Sequence, residues 1–339
     1  MAVRARELGI AIGTGEPGPL AGITDVPGVR VGHSTLIEGE SVRTGVTVLV
    51  PPETPLFAGC HRLNGNGELT GLEWVRESGL LTTPIGLTNT FSVGVVRDAI
   101  AARAADEEAW SLPVVGETWD GFLNDIRGQH IRAEHVEAAF EAAAGGAVTE
   151  GSVGGGTGMI CHGFKAGIGT ASRLVAGYVV GVLVQANYGR RERFRVDGVP
   201  VGKLIGERIP EPREGDEAGS IIGIVATDAP LLPHQCDRLA QRAGLGVGRM
   251  GGTGAHTSGD IFLSFATGNR GLGVERGEVA LRMLSDLEIS PLYDAVIEST
   301  EEAILNAMLA AETMTGREGN TVHALEPDLL LEALGATRS

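Results

Sequence analysis

The stretch Gly-Glu-Arg-Ile-Pro-Glu-Pro-Arg-Glu-Gly-Asp-Glu-Ala-Gly (206–219) runs directly into Ser-Ile-Ile-Gly-Ile-Val-Ala-Thr (220–227). The first half is charged, carries two prolines and lacks apolar periodicity, so it reads as a linker. The second half is β-branched and apolar almost from its start, which predicts a buried strand with Ser220 at its tip. That junction has a chemical use. Gly219 has no Cβ to guard its carbonyl. Attack by the Ser220 hydroxyl on that carbonyl gives an ester through an N-to-O shift, and water then frees Ser220 with an α-amine of its own. Such an amine has a reference pKa of about 8 and serves as a base near neutral pH. A fixed strand end also holds a nucleophile rigidly. The plainer alternative is a Gly-Ser loop end, of which Gly151-Ser152 is a second example. Ser152, however, precedes a glycine-rich loop instead of opening a strand.

Outward from this junction, strands are expected at 29–31, 46–50, 84–97, 163–171, 174–186 and 259–267. Residues 132–144 are strong helix formers that stop at Gly145 and Gly146. Further helices are expected at 233–243, 274–285 and 290–313. Mixed strands and helices, with no internal repeat, predict a layered α/β or α+β fold. The loop 154–158 resembles a phosphate cradle but lacks the Gly-Lys-Ser/Thr ending of one, so it reads as a close-packing turn.

Composition bounds the function. The 339 residues are 42% hydrophobic and 21% charged, enough to bury a sizeable core. A formal net charge of −16 repels phosphate backbones, which argues against nucleic acid as a partner. The densest basic run, Arg190, Arg191, Arg193 and Arg195, reads as a solvated turn. Three cysteines, Cys60, Cys161 and Cys236, form no CxxC pair, and the eight histidines show no ligand spacing. No metal and no cofactor are expected, and a reducing compartment fits best. No run of about 18 apolar residues appears, so a membrane span is not expected, and the N-terminus lacks a signal-peptide core. The protein reads as cytoplasmic.

The segment Ser-Ile-Ile-Gly-Ile-Val-Ala-Thr-Asp-Ala-Pro-Leu-Leu-Pro-His-Gln (220–235) resembles the start of the small subunit in the DmpA-type aminopeptidases, the S58 family that includes the β-peptidyl aminopeptidases. The resemblance extends through Pro-Val-Val-Gly-Glu-Thr-Trp-Asp-Gly (113–121), Gly-Gly-Gly-Thr-Gly-Met (154–159), Gly-Phe-Lys-Ala-Gly-Ile-Gly-Thr-Ala-Ser-Arg (163–173), Gln-Ala-Asn-Tyr-Gly (185–189) and His-Thr-Ser-Gly-Asp (256–260). It spans residues 20 to 320 or so, and so many blocks in one order outweigh any single motif. It implies a four-layer αββα sandwich, similar to N-terminal-nucleophile hydrolases but with DmpA-type connectivity. It further implies one domain over 1–339, self-processed into a large 1–219 and a small 220–339 subunit. The implied activity releases N-terminal amino acids from peptides, amides or esters with a free N-terminus, D- and β-residues among the candidates. Family members form tetramers of cleaved pairs, so a homo-oligomer is expected.

The resemblance also assigns roles. Ser220 is the nucleophile, freed by cleavage after Gly219. Ser258 and Asp260 match the two residues that assist it, and their i, i+2 spacing on a strand puts both on one face. Asp260 would polarise Ser258, which would relay to Ser220 without a histidine. Some relatives carry Glu where Asp260 stands. Asn187 matches the oxyanion donor, which contributes about 3 kcal/mol to lowering the barrier. Glu117 matches the acid that binds the substrate ammonium. Trp119 departs from the family's Tyr, whose hydroxyl helps in the oxyanion region; an indole N–H donates from a different position. Two other readings compete. Linear oligoamide hydrolases of the nylon-oligomer type carry a Thr nucleophile and two Asp helpers, against Ser220 and Ser258 here. A non-catalytic assembly protein would not need the whole set.

Overall fold

A computed structural model describes residues 3–103, 111–212, 219–273 and 276–335 of the chain. In chain order the elements are β1 (Arg30–Glu38), β2 (Val42–Val50), β3 (Leu56–Gly65), α1 (Leu72–Ser78), β4 (Leu80–Leu81), β5 (Ile85–Asn89), α2 (Val93–Ala102), β6 (Val114–Thr118) and α3 (Ala133–Glu141). There follow β7 (Ile160–Cys161), β8 (Phe164–Lys165), β9 (Ile168–Val175), β10 (Tyr178–Asn187), α4 (Val201–Ile205), β11 (Ser220–Thr227), α5 (Pro233–Arg249), β12 (Gly259–Ala266) and α6 (Ser290–Leu309). The short β13 (Met314–Thr315), β14 (Thr321–Val322) and the helix α7 (Pro327–Gly335) close the chain.

The strands form two main sheets, ordered β1-β2-β5-β6 and β4-β3-β12-β11-β10-β9. Within them β5–β6 and β11–β12 are parallel, bridged by α2 and α5 respectively. Three apolar clusters separate four layers. One lies between the sheets and includes Leu49, Ile85, Leu87, Ile222, Ile224, Leu263 and Phe265. A second joins the six-stranded sheet to α5 and α6 through Ile221, Val225, Phe262, Leu239, Ala243, Val296 and Ala303. A third joins the four-stranded sheet to α2 and α3 through Val46, Val48, Val96, Ile100, Val136 and Ala139. The layering is αββα, as the resemblance implied. The strand β11 shows its basis in sequence. Ile222, Ile224 and Ala226 enter the inter-sheet cluster, while Ile221 and Val225 face the helices. The pleat sends alternate residues to opposite faces, so a strand covered on both sides must be apolar throughout.

Three expectations need correction. The strand expected at 84–97 ends at Asn89, whose side chain accepts the Phe91 N–H (3.0 Å). The valines beyond it enter α2, burying Val93, Val96 and Ile100 at helical rather than alternating spacing. The boundary placed before 174 belongs later: β9 runs to Val175, and the chain reverses at Ala176 and Gly177, which have φ of 51° and 81°. Two successive positive φ values suit a tight hairpin turn. Finally, no helix forms over 276–285; residues 274 and 275 lie outside the described residues. Asn269 takes this segment's backbone instead, donating to the Arg282 carbonyl and accepting its N–H, both at 2.8 Å. These bonds to a neighbouring segment override helix propensity. The linker reading of 206–219 covers a 3₁₀ turn at Gly206–Arg208, and its residues 213–218 lie outside the described residues.

Candidate active site

Ser220 is the first residue of β11 and is buried. Its two neighbours in the sheet fix its surroundings. On one side it pairs antiparallel with Asn187, the last residue of β10. On the other it pairs parallel with Gly259, the first residue of β12. The Ser220 Oγ accepts a hydrogen bond from the Gly259 N–H at 3.1 Å. Ser258 stands one residue ahead of β12, not on it, and its Oγ donates to Asp260 Oδ1 at 2.6 Å. The two side chains are thus in contact, although Ser258 does not share the strand that the i, i+2 spacing assumed. The hydroxyl of Ser258 points its hydrogen bond at the carboxylate, while Ser220 takes its own from backbone.

Asp260 is buried, and desolvation pushes its carboxyl above the usual carboxylate range, opposed by hydrogen bonds from Ser258 and the Ile221 amide. Asn187 is fixed at both ends of its amide. Its Oδ1 accepts the Ile160 N–H at 2.8 Å, and its Nδ2 donates to the Trp119 carbonyl at 2.9 Å. A primary amide has two N–H donors, so one remains beyond that bond. Trp119 follows β6 and is 41% exposed, a large aromatic at the surface of the site.

Trp119, Asn187, Gly219, Ser258 and Asp260 share the lining of one cavity of about 610 Å³. Neither Ser220, which lies between those residues, nor Glu117 is in that lining. Glu117 is buried in β6, where Oε1 accepts the Glu68 N–H at 2.9 Å and Oε2 accepts the Thr90 hydroxyl. Burial raises its pKa, against the pull of those two hydrogen bonds. Gly67 stands between it and Gly259, the strand neighbour of Ser220: a Cβ there would lie 3.0 Å from Glu117 Oε1 and 3.2 Å from Gly259 Cα. Gly67 and Glu68 also line a second cavity, of about 370 Å³.

The sequence reading missed the residues that hold the site in place. Asn64 Oδ1 accepts the Asp260 N–H at 2.8 Å, and Asn64 Nδ2 donates to the Ala255 carbonyl at 2.7 Å. Asn66 Nδ2 donates to the Thr257 carbonyl, also at 2.7 Å. Together they tie the 255–258 turn to the end of β3. The signal was the run Asn64-Gly65-Asn66-Gly67, turn chemistry at a strand end. The basic run is the turn expected of it, with Arg190 and Arg195 exposed, but Arg191 is buried, and Arg190, Arg191 and Arg193 line the larger cavity. The 154–158 loop is a packing turn as expected: Cβ atoms on Gly155 and Gly156 would lie 2.2 Å from Gln185 Oε1 and 2.4 Å from the Ile168 nitrogen.

Four αββα layers with a serine at the tip of an inner strand define a hydrolase of the N-terminal-nucleophile fold class. The chain belongs to peptidase family S58, whose model matches residues 21–322. It is 47% identical to the beta-peptidyl aminopeptidase BapA of Sphingosinicella microcystinivorans, across 95% of this chain and 89% of that one. Among solved structures, a Burkholderia sp. beta-aminopeptidase superposes with a TM-score of 0.94 at 54% identity, covering 98% of this chain and 99% of the other. The L-aminopeptidase D-Ala-esterase/amidase of Ochrobactrum anthropi, described as a new variant of the Ntn hydrolase fold, gives 0.90 at 41% identity, covering 99% of both chains.

Proposed function

We propose that this chain is a serine aminopeptidase and amidase that activates itself by cleaving between Gly219 and Ser220. One observation carries the reading: a buried Ser220 at a strand tip, opposite Asn187 and hydrogen-bonded to Gly259, beside the Ser258–Asp260 pair. In the uncut chain the Ser220 nitrogen is an amide and no base. Cleavage turns it into an amine, which takes the proton from Oγ as the hydroxyl attacks the substrate carbonyl. Asp260 holds the Ser258 hydroxyl in place beside it. The remaining Asn187 N–H supports the oxyanion, with the amide preorganised by Ile160 and Trp119. The protonated amine gives that proton to the leaving nitrogen as the scissile C–N bond breaks, which leaves the N-terminal residue esterified to Ser220, and water hydrolyses the ester to free it.

Glu117 receives the substrate ammonium in this scheme. Its place next to Gly67 supports that role, and the substrate amine would join Thr90 and Glu68 around the carboxylate. The products of processing, 1–219 and 220–339, stay together as one αββα unit, because β11 lies between β10 and β12 in a single sheet. The exposed apolar Met283 and Leu287 support assembly of such pairs into a homo-oligomer, a tetramer on the family pattern. The free cysteines fit work in the cytoplasm. The relatives' names extend the substrate panel to β- and D-residues.

Intact-mass analysis of the purified protein tests the reading, together with a panel of aminoacyl p-nitroanilides. Two fragments, the smaller beginning at Ser220, and hydrolysis of free-amine substrates are expected. Ser220→Ala should remain full-length and inactive. An unbroken wild-type chain that hydrolyses these substrates would overturn it.

A further inference from the structure

The cavity beside Ser258 and Asp260 is unusual for a chain of net charge −16, because three arginines stand in its lining. Arg191 is the fixed member. It is buried, its guanidinium donates to the carbonyls of Ile209 and Gly163, and it pairs with Glu211 at 3.3 Å while stacking over Phe164. Arg190 and Arg193 flank it and are more accessible; Arg193 Nη1 donates to Thr253 Oγ1 at 2.9 Å, and Thr253 is itself in the lining. Trp119, Phe122 and Ile160 give the same cavity an apolar part.

We propose that Arg190 and Arg193 form a leaving-group subsite that takes the C-terminal carboxylate of a short peptide. The inference rests on the peptidase reading above and adds its substrate class: dipeptides and similarly short peptides with a free C-terminus. A short peptide is a zwitterion. Its ammonium is repelled by the arginines and drawn toward the acids, while its carboxylate is drawn the other way. The scissile carbonyl is thereby aligned between the two charges, at Ser220. Arginine suits this task because its planar fork matches a carboxylate with two parallel hydrogen bonds. A cavity of about 610 Å³ is sized for a small ligand, and the chain's overall negative charge disfavours polyanions.

The test compares dipeptide pairs that differ only in ending as carboxylate or carboxamide. Wild-type enzyme should favour the acid by about fivefold in kcat/KM, the conversion of about 1 kcal/mol, the upper end for partly exposed charge pairing. The preference should lie mainly in KM and shrink at high salt. Arg190→Gln/Arg193→Gln should bring the ratio close to one, and Arg190→Lys/Arg193→Lys should keep much of it. Appearance of the Ser220 N-terminus in each variant shows that it folds. A wild-type ratio near one, or a ratio unmoved in the glutamine variant, overturns the subsite while leaving the peptidase reading intact. Failure of wild type to cleave either member of the pair, with Ser220 never unmasked, overturns both.

Discussion

Gly219→Ala should slow self-cleavage sharply, and the reason is steric. A Cβ on Gly219 would lie 2.5 Å from the Asn187 carbonyl oxygen and 2.8 Å from Tyr188 Cα. Both atoms are backbone at the end of β10, so no side-chain rotation relieves the contact. The closer one is about 0.9 Å short of the 3.4 Å at which ordinary contact begins. The methyl group must push residue 219 away from β10, or push the start of the loop after β10 away from it. The first displaces the carbonyl that Ser220 attacks, and the second disturbs Asn187, which faces Ser220 across the ladder. Forcing an extra methyl into a packed site costs about 1–3 kcal/mol. At 1.36 kcal/mol per decade, processing should slow by about fivefold to about 160-fold. The assay is a time course of chain cleavage in cell-free synthesis, followed on SDS gels and by intact mass. Cleavage at the wild-type rate or faster would refute the reasoning.

Two other perturbations probe buried acids. Thr90→Val removes a hydroxyl that holds Glu117 ionised, so the Glu117 pKa, already raised by burial, should climb further. The acid limb of kcat/KM for free-amine substrates should then move to higher pH; a limb that stays in place would remove Glu117 from amine binding. Asp120, next to Trp119, is fully buried, and desolvation lifts its pKa to about 7 from an ordinary value of 3.8. Between those pH values the folded chain holds a proton that the unfolded chain has lost, so this group's contribution to stability falls as pH rises through that window. Asp120→Asn should flatten the decline of melting temperature between about pH 4 and pH 7, whereas an unchanged slope relative to wild type would show that Asp120 stays ionised there.

Much of the fold was legible because its signals are local. The apolar run 221–226 must be buried on both faces, and α5 and α6 lie where their composition placed them. The signals failed where a side-chain hydrogen bond decided the outcome. Asn89 caps the 3₁₀ turn that leads from the strand into α2, and Asn269, from a neighbouring segment, held 276–285 out of helix. The same division runs through the site. Ser258 and Asp260 are close in sequence and belong to one motif block, and they are in contact, but Ser258 lies ahead of the strand that the spacing argument required.

A serine at the tip of an interior strand behind a glycine could be read from the residues alone, and the motif blocks pointed to the family. It took the folded chain to show that Asn187 faces that serine, that the Gly259 N–H donates to it and that Asn64 and Asn66 brace its neighbours. Folding also decided that Arg191, within a basic run expected in solvent, is buried at the edge of the cavity. Periodicity records which face of an element is apolar. Strand order and register, which bring residues 64, 187, 220 and 259 together, come from the sum of many weak packing contacts spread along the chain, and no short stretch records that sum.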